Sequence, residues 1–383
     1  MPERTIYLDH AATTALDARV LDAMLPYFST EYGNASSIYT LGRHAMQAID
    51  SAREQVADIL NVRPTEITFT GCGSESDNLA IKGMAYASQK KGNHLITSSI
   101  EHHAVLHTCQ YLERFGFKTT YLPVDMYGCV NPDDVGRAIT DQTVLVSIMY
   151  ANNEVGTIEP VAEIGRICRA RKVPFHIDAV QAGGSLPLDV TALNADLLSL
   201  SAHKFYGPKG IGMLYARQGM RLLPQLQGGS QERGRRAGTE NVAGIVGAAT
   251  ALRLAYEELP QVMPRILALR DRLIAGLLTI PGSYLTGHPT HRLPNNASFC
   301  FEGVEGESIL LNLDLLGIAA STGSACTSGS VDPSHVLIAM GIPVEQAHGS
   351  LRLTLGKANT DADIDIVLSA LPGIIEKLRG LRG

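Results

Sequence analysis

From about Ile67 to Arg217, short apolar runs alternate with longer amphipathic ones. Ile67–Phe69, His94–Ser98, Thr119–Val124, Val144–Tyr150, Pro174–Ala179, Leu197–Ser201 and Gly212–Ala216 are short, largely apolar segments bounded by turn formers, and they predict strands. Between most of them, Asp77–Lys90, Ala104–Phe115 and Val161–Arg171 carry apolar residues at helical spacing. Apolar strands separated by amphipathic helices are βαβ units. The fold class is therefore α/β, with a mostly parallel central sheet covered by helices on both faces. Past Glu240 the pattern changes to a helical run ending near Leu259, then Pro260, a second run to Leu278, and mixed strands and helices to the end. This predicts a large domain of 15–258 and a smaller α+β domain made from 1–14 and 259–383. The length of 383 residues fits two such units.

Candidate chemistry gathers where the predicted strands end. Asp178 closes the strand 174–179, and Lys204 follows the apolar run Leu197–Ala202 just before the turn Tyr206–Gly210. Ligands bind at the carboxyl ends of strands in open α/β sheets, and a lysine desolvated there can act as an amine nucleophile. Taken singly, a strand-end Asp more often caps a turn and a strand-end Lys reaches solvent. Together, with Gln181, Ser201 and His203 beside them, they form the acid–amine pair that pyridoxal phosphate requires.

Other stretches fit the same edge. Thr70-Gly71-Cys72-Gly73-Ser74-Glu75-Ser76-Asp77 runs from a strand into a helix, so backbone N–H groups and the Ser74 hydroxyl can hold a phosphate; the plainer reading is a Ser-capped helix. A dinucleotide fingerprint is disfavoured because Ser76 takes the place of its third glycine. In Glu101-His102-His103-Ala104-Val105-Leu106-His107 no H-E-x-x-H motif exists, and no metal site is expected. His102, at a strand-to-helix junction, can lie over a flat ring and move protons. Asn153 follows another strand, and Arg352 lies on the polar face of Ser350–Leu355, where it can grip a carboxylate or form a structural ion pair.

Composition narrows the classes. Hydrophobic residues at 45% with 18% charged describe a soluble globular enzyme, and a net charge of −6 argues against direct nucleic-acid binding. The start MPERTIYLDH has no apolar core of a secretory signal, and Val242–Leu252 is too short to span a bilayer, so a cytoplasmic location without membrane attachment is expected. The six cysteines include no C-x-x-C pair, which points to free thiols. Five lie in contexts where a buried inert thiol is the default. Cys326 sits instead among small polar residues, Ser321 to Ser330, which predicts a mobile loop over about 321–333 presenting its thiol.

Taken in order, YLDHAATT, SESDNLAIKG, EHHAV, NNEVG, HIDAVQ, SAHKFYGPKGIG, ERGRRAGTEN and STGSACTS resemble the group I cysteine desulfurases of the class V aminotransferase family, over Tyr7 to about Gly356. The resemblance implies a pyridoxal phosphate-dependent transferase of fold type I and a homodimer. It implies that Lys204 holds the cofactor as a Schiff base, Asp178 pairs with its pyridine nitrogen, His102 stacks on its ring and Gln181 bonds its phenolic oxygen, with Asn153 nearby. Gly73, Ser74, Ser201 and His203 would bind the phosphate, joined by Thr239 from the second subunit. Arg352, with Asn34, would hold the carboxylate of L-cysteine. Cys326 would take its sulfur as a persulfide, leaving alanine, for delivery to an acceptor such as an iron–sulfur scaffold or a sulfur carrier protein, in cluster assembly or thiolation of tRNA and cofactors. Ser74 stands where many members have threonine, and the chain stops at Gly383 where longer members carry a scaffold-docking tail. Competing readings are a selenocysteine lyase or other C–S lyase, and a non-catalytic protein that offers its cysteine loop to partners.

Overall fold

The computed structural model describes residues 5–323 and 333–381. In chain order its strands are β1 (Ile6–Tyr7), β2 (Ile67–Thr70), β3 (His94–Ser98), β4 (Lys118–Leu122), β5 (Thr143–Met149), β6 (Phe175–Asp178), β7 (Leu197–Ser201), β8 (Gly212–Ala216), β9 (Ser283–Leu285), β10 (Asn296–Phe301), β11 (Ile318–Ala319) and β12 (Ser350–Thr354). Strands β2 to β8 form one sheet in the order β2-β8-β7-β6-β5-β3-β4. Only β8 runs against its neighbours. The carboxyl ends of β2, β3, β5, β6 and β7 therefore share one edge. Each of these seven strands lies within two residues of its expected position at either end.

Both faces of this sheet are apolar, which is why its strands read as near-continuous hydrophobic runs. Ile96, Val146, Ile148, Phe175 and Ile177 pack on one side, with Val56 and Leu60 from the helix Thr40–Leu60. Leu95, Leu145, Leu197 and Leu214 pack on the other, with Leu79 and Ile81 from the helix Gly73–Ala87. A third cluster, including Phe299, Phe301, Leu351 and Leu353, backs the antiparallel sheet β12-β10-β9. It also takes in Ile6 and Leu8, because β1 pairs in parallel with β11.

The break expected at Pro260 does not occur. One helix runs from Val242 to Leu277 through both Pro260 and Pro264. Its first half buries Ile245, Ala248 and Leu252 against the large sheet, and its second half buries Ile266, Leu269 and Leu273 in the third cluster. Burial at both ends offsets the backbone hydrogen bonds that the two prolines remove. The expectation of buried thiols also fails at Cys72, which is exposed, and Cys129 is half-buried; Cys109, Cys168 and Cys300 are buried. The Cys326 position lies outside the described residues. None of the described helices is long and apolar enough to cross a membrane.

Candidate active site

A cavity of about 290 Å³ opens where β2, β5, β6 and β7 end. Behind β7, Ser201 is buried, and Ala202–Lys204 make a single tight turn that carries His203 and Lys204 into the cavity wall. The Lys204 ammonium donates to the carbonyls of Ala11 and Ala12, the latter at 2.8 Å. The same amino-terminal strap accepts a 3.0 Å bond from Gln181 Nε2 at Ala11, and Thr13 Oγ1 lies 3.1 Å from His203 Nδ1. Burial and the charges of Lys204 and Lys209 lower the His203 pKa to about 4, so the imidazole is neutral beside the lysine.

Asp178 sits at the end of β6, 5% exposed, with one carboxylate oxygen accepting from Val180 N at 3.0 Å. Burial raises its pKa, and that N–H and the Lys204 charge oppose the rise. His102 caps the helix His103–Glu113, its Nδ1 accepting from Ala104 N at 3.1 Å. Burial, followed by the charges of Lys204 and neighbouring histidines, brings His102 down to about 4.

The helix Gly73–Ala87 starts at the cavity with Cys72, not serine, as its cap; the thiol sulfur accepts from Glu75 N at 3.4 Å. Gly73 has no room for a side chain, since a Cβ would stand 2.8 Å from Val180 Cγ2 and 3.1 Å from Ser201 Cβ. Its N–H face, with Ser74, Ser201 and His203 around it, is a cradle of donors at a helix N-terminus suited to a phosphate. The residues lining this one cavity thus fit pyridoxal phosphate: donors suited to a phosphate, the Asp178 carboxylate suited to a ring nitrogen, and the Lys204 amine.

Arg352 enters from β12, its side chain 4% exposed, with Nη2 on Asp9 Oδ1 at 2.9 Å and Nη1 on the Asn153 carbonyl at 3.0 Å. Its Nε has no hydrogen-bond partner among the described residues, and the side chain lines the cavity. The structural ion pair of the sequence reading is present, and the side chain also lines the cavity. Asn34 and Thr239 are exposed and do not line the cavity. Asn34 instead accepts from Ser36 N at 2.9 Å.

Sequence reasoning missed Asp9 and Asp77. Asp77 lines the cavity, is 1% exposed, and has Oδ1 unbonded, 3.7 Å from Nε2 of the buried His176. Burial, and then the charge of Asp178, raises its pKa well above the carboxylate range. The amphipathic start of the helix at Gly73 was the available signal, because Asp77 falls on its buried side. Among the described residues, no group of three or more histidine, cysteine, aspartate and glutamate side chains is placed to hold a metal ion.

The family described as aminotransferase class-V matches residues 6–367. A cysteine desulfurase IscS of Methanosarcina thermophila is 57% identical over 378 residues, covering 99% of this chain and 94% of that protein. A cysteine desulfurase IscS of Clostridium botulinum is 54% identical, covering 98% and 96% respectively. Among solved structures, one described as a NifS-like protein superposes with a TM-score of 0.93 at 40% identity, covering 98% of this chain and all of that one.

Proposed function

The chain belongs to the class V aminotransferase family and is a pyridoxal phosphate-dependent cysteine desulfurase, and we propose that it works through the residues gathered around Lys204. The observation that carries the reading is one cavity walled by Lys204, Asp178, His102 and Arg352 at the carboxyl edge of the sheet. L-Cysteine and the Cys326 thiol give alanine and a persulfide on Cys326: the substrate's C–S bond breaks, an S–S bond forms, and the β-carbon gains a proton. Pyridoxal phosphate, when bound, supplies an aldehyde that condenses with amines and an electron-withdrawing ring that takes up charge from the substrate.

Each side chain has a task in that exchange. Arg352, oriented by Asp9 and the Asn153 carbonyl, holds the substrate carboxylate. Lys204 is the amine that holds the cofactor and, released, moves protons at the substrate carbons. His102, neutral at physiological pH, accepts or donates a proton beside it. Asp178 keeps a ring nitrogen protonated. Gln181, whose Nε2 donates to the Ala11 carbonyl, would bond the cofactor's phenolic oxygen. Gly73, Ser74, Ser201 and His203 hold the phosphate. Cys326, as thiolate, attacks the sulfur.

Several further parts belong to the same reading. A homodimer forms across the amino-terminal face, where Leu25, Phe28, Tyr32, Ile38 and Tyr39 are exposed, Ile38 at 90%. Thr239 then serves the partner's phosphate, and Asn34 assists Arg352. The persulfide passes to an iron–sulfur scaffold or sulfur carrier protein in the cytoplasm. The chain divides at about 258/259, which the two-cluster packing of the helix Val242–Leu277 supports.

In the deciding experiment, purified protein is treated with L-cysteine and analysed by mass spectrometry of its thiol peptides. A gain of one sulfur on the Cys326 peptide is expected, with none in Cys326→Ser. Persulfide formed equally well by Cys326→Ser would refute the nucleophile. Lys204→Ala is expected to lose the visible absorption of lysine-bound cofactor.

A further inference from the structure

The residue after Asn153 has no part in the chemistry above, yet it is buried at the rim of the site. Glu154 is 6% exposed, and its backbone is fixed on both sides. Its N–H donates to Asn152 Oδ1 at 2.8 Å, and its carbonyl accepts from Asn296 Nδ2 at 3.1 Å. The side chain is therefore a stationary post.

Two segments distant in sequence meet that post. Ser334 Oγ donates to Glu154 Oε2, while the same hydroxyl accepts from Val336 and Leu337 N at 3.2 and 3.3 Å to cap the helix His335–Ala339. Against that same oxygen Gly323 lies so close that a Cβ there would overlap Glu154 Oε2. The chain reaching Gly323 is tied to the substrate arginine's own strand, since Arg352 N donates to Ser321 O at 2.6 Å. Burial raises the Glu154 pKa to about 7, against the pull of Ser334 and Arg352.

We propose that Glu154 is a positioning residue for Cys326: one buried carboxylate accepts from Ser334 and packs against Gly323, on the two sides in sequence of the segment bearing the thiol. The proposal rests on the reading of Cys326 as the sulfur acceptor. Cys326 is three residues beyond Gly323 in sequence. At so short a separation in sequence, displacing Gly323 is expected to change how readily the thiol meets its substrate. A shift of about 1 Å in an anchor of this kind is enough to slow a reaction a hundredfold.

The test uses the cofactor-loaded enzyme and two readouts in single turnover: the spectral change on adding L-cysteine, which reports substrate binding, and persulfide on Cys326 by mass spectrometry. In Glu154→Ala and Gly323→Ala, persulfide formation is expected to fall by about tenfold to a hundredfold, with the cysteine concentration for half the spectral change unaltered. Glu154→Gln, which still accepts from Ser334 Oγ, is expected to regain most of the rate. Wild-type rates in Glu154→Ala or Gly323→Ala would overturn the proposal. So would a loss matched by weaker cysteine binding, which would make Glu154 a support of Arg352 alone. Should Glu154→Ala fail to fold, Gly323→Ala and Ser334→Ala decide by the same two readouts. If wild-type persulfide is found on a thiol other than Cys326, the underlying reading fails and not this anchor.

Discussion

Replacing Arg352 with lysine isolates geometry from charge. The guanidinium is 4% exposed and spends Nη2 on Asp9 and Nη1 on the Asn153 carbonyl, which fixes its plane and leaves Nε unpaired in the cavity wall. A lysine at 352 keeps a positive charge but offers a single nitrogen that cannot hold Asp9, Asn153 and a substrate carboxylate in one plane. Losing one charge-assisted hydrogen bond to the carboxylate costs about 1.5–3 kcal/mol, so kcat/KM for L-cysteine is expected to fall by about 10- to 150-fold. A group that grips a substrate carboxylate equally in the ground and transition states acts mainly on KM, so most of the loss is expected there. Alanine formation against cysteine concentration measures both constants. Asp9→Asn keeps the arginine tethered and removes a competing anion, and it is expected to change KM far less. A lysine variant with kcat/KM within about threefold of wild type would show that Arg352 does not bind the substrate.

Two further perturbations test other parts of the structure. Arg53 and Glu232 form a two-pronged ion pair at 2.8 Å, with side chains 6% and 3% exposed, and Glu232 also accepts from Phe69 N at 3.0 Å. Arg53→Met leaves that carboxylate buried without its cation and is expected to cost about 3–5 kcal/mol in urea unfolding, most of it recovered in Arg53→Met/Glu232→Leu; an additive double variant would refute the pairing. Glu159 is 2% exposed, has one oxygen unbonded, and is raised by burial from 4.5 to about 8. The folded state then keeps a proton that the unfolded chain releases above pH about 4.5, so stability is lost as pH rises from there to about 8, by on the order of a few kcal/mol. In Glu159→Gln the gap between Tm at pH 6 and at pH 9 should narrow, and an unchanged gap would count against a protonated Glu159.

Much of this molecule was legible in the order of its residues, and the exceptions share a cause. Six of the seven strands of the large sheet, all but the half-buried edge strand β4, were readable because they are buried on both faces and so rich in apolar residues. Lys204, Asp178, Ser201 and His203 could be placed at the sheet edge because they lie at or just past the ends of apolar runs. The helix through Pro260 was not, since propensity at a proline is local whereas its support comes from two separate cores. Asp9 gave no signal because its partner Arg352 is 343 positions away. Cys72 was misjudged because a thiol at the mouth of a phosphate cradle and one within a strand look alike in sequence.

The burial that hid these residues also explains how one anion is selected at the sheet edge. Asp77, Glu101 and Asp178 are all buried there, and burial alone raises the pKa of every one. His176 supplies no compensating charge, since burial lowers it to about 3 and holds it between Ser147 and Ser199 hydroxyls at 2.8 and 2.9 Å. Of the three acids, Asp178 is the one whose charge Lys204 favours. Once Asp178 is ionised, its field pushes Asp77 and Glu101 further toward their neutral forms. With Asp77 and Glu101 pushed toward their neutral forms behind it, Asp178 is left as the favoured place for negative charge in the cavity wall, which is where the proposed cofactor's ring nitrogen would need it.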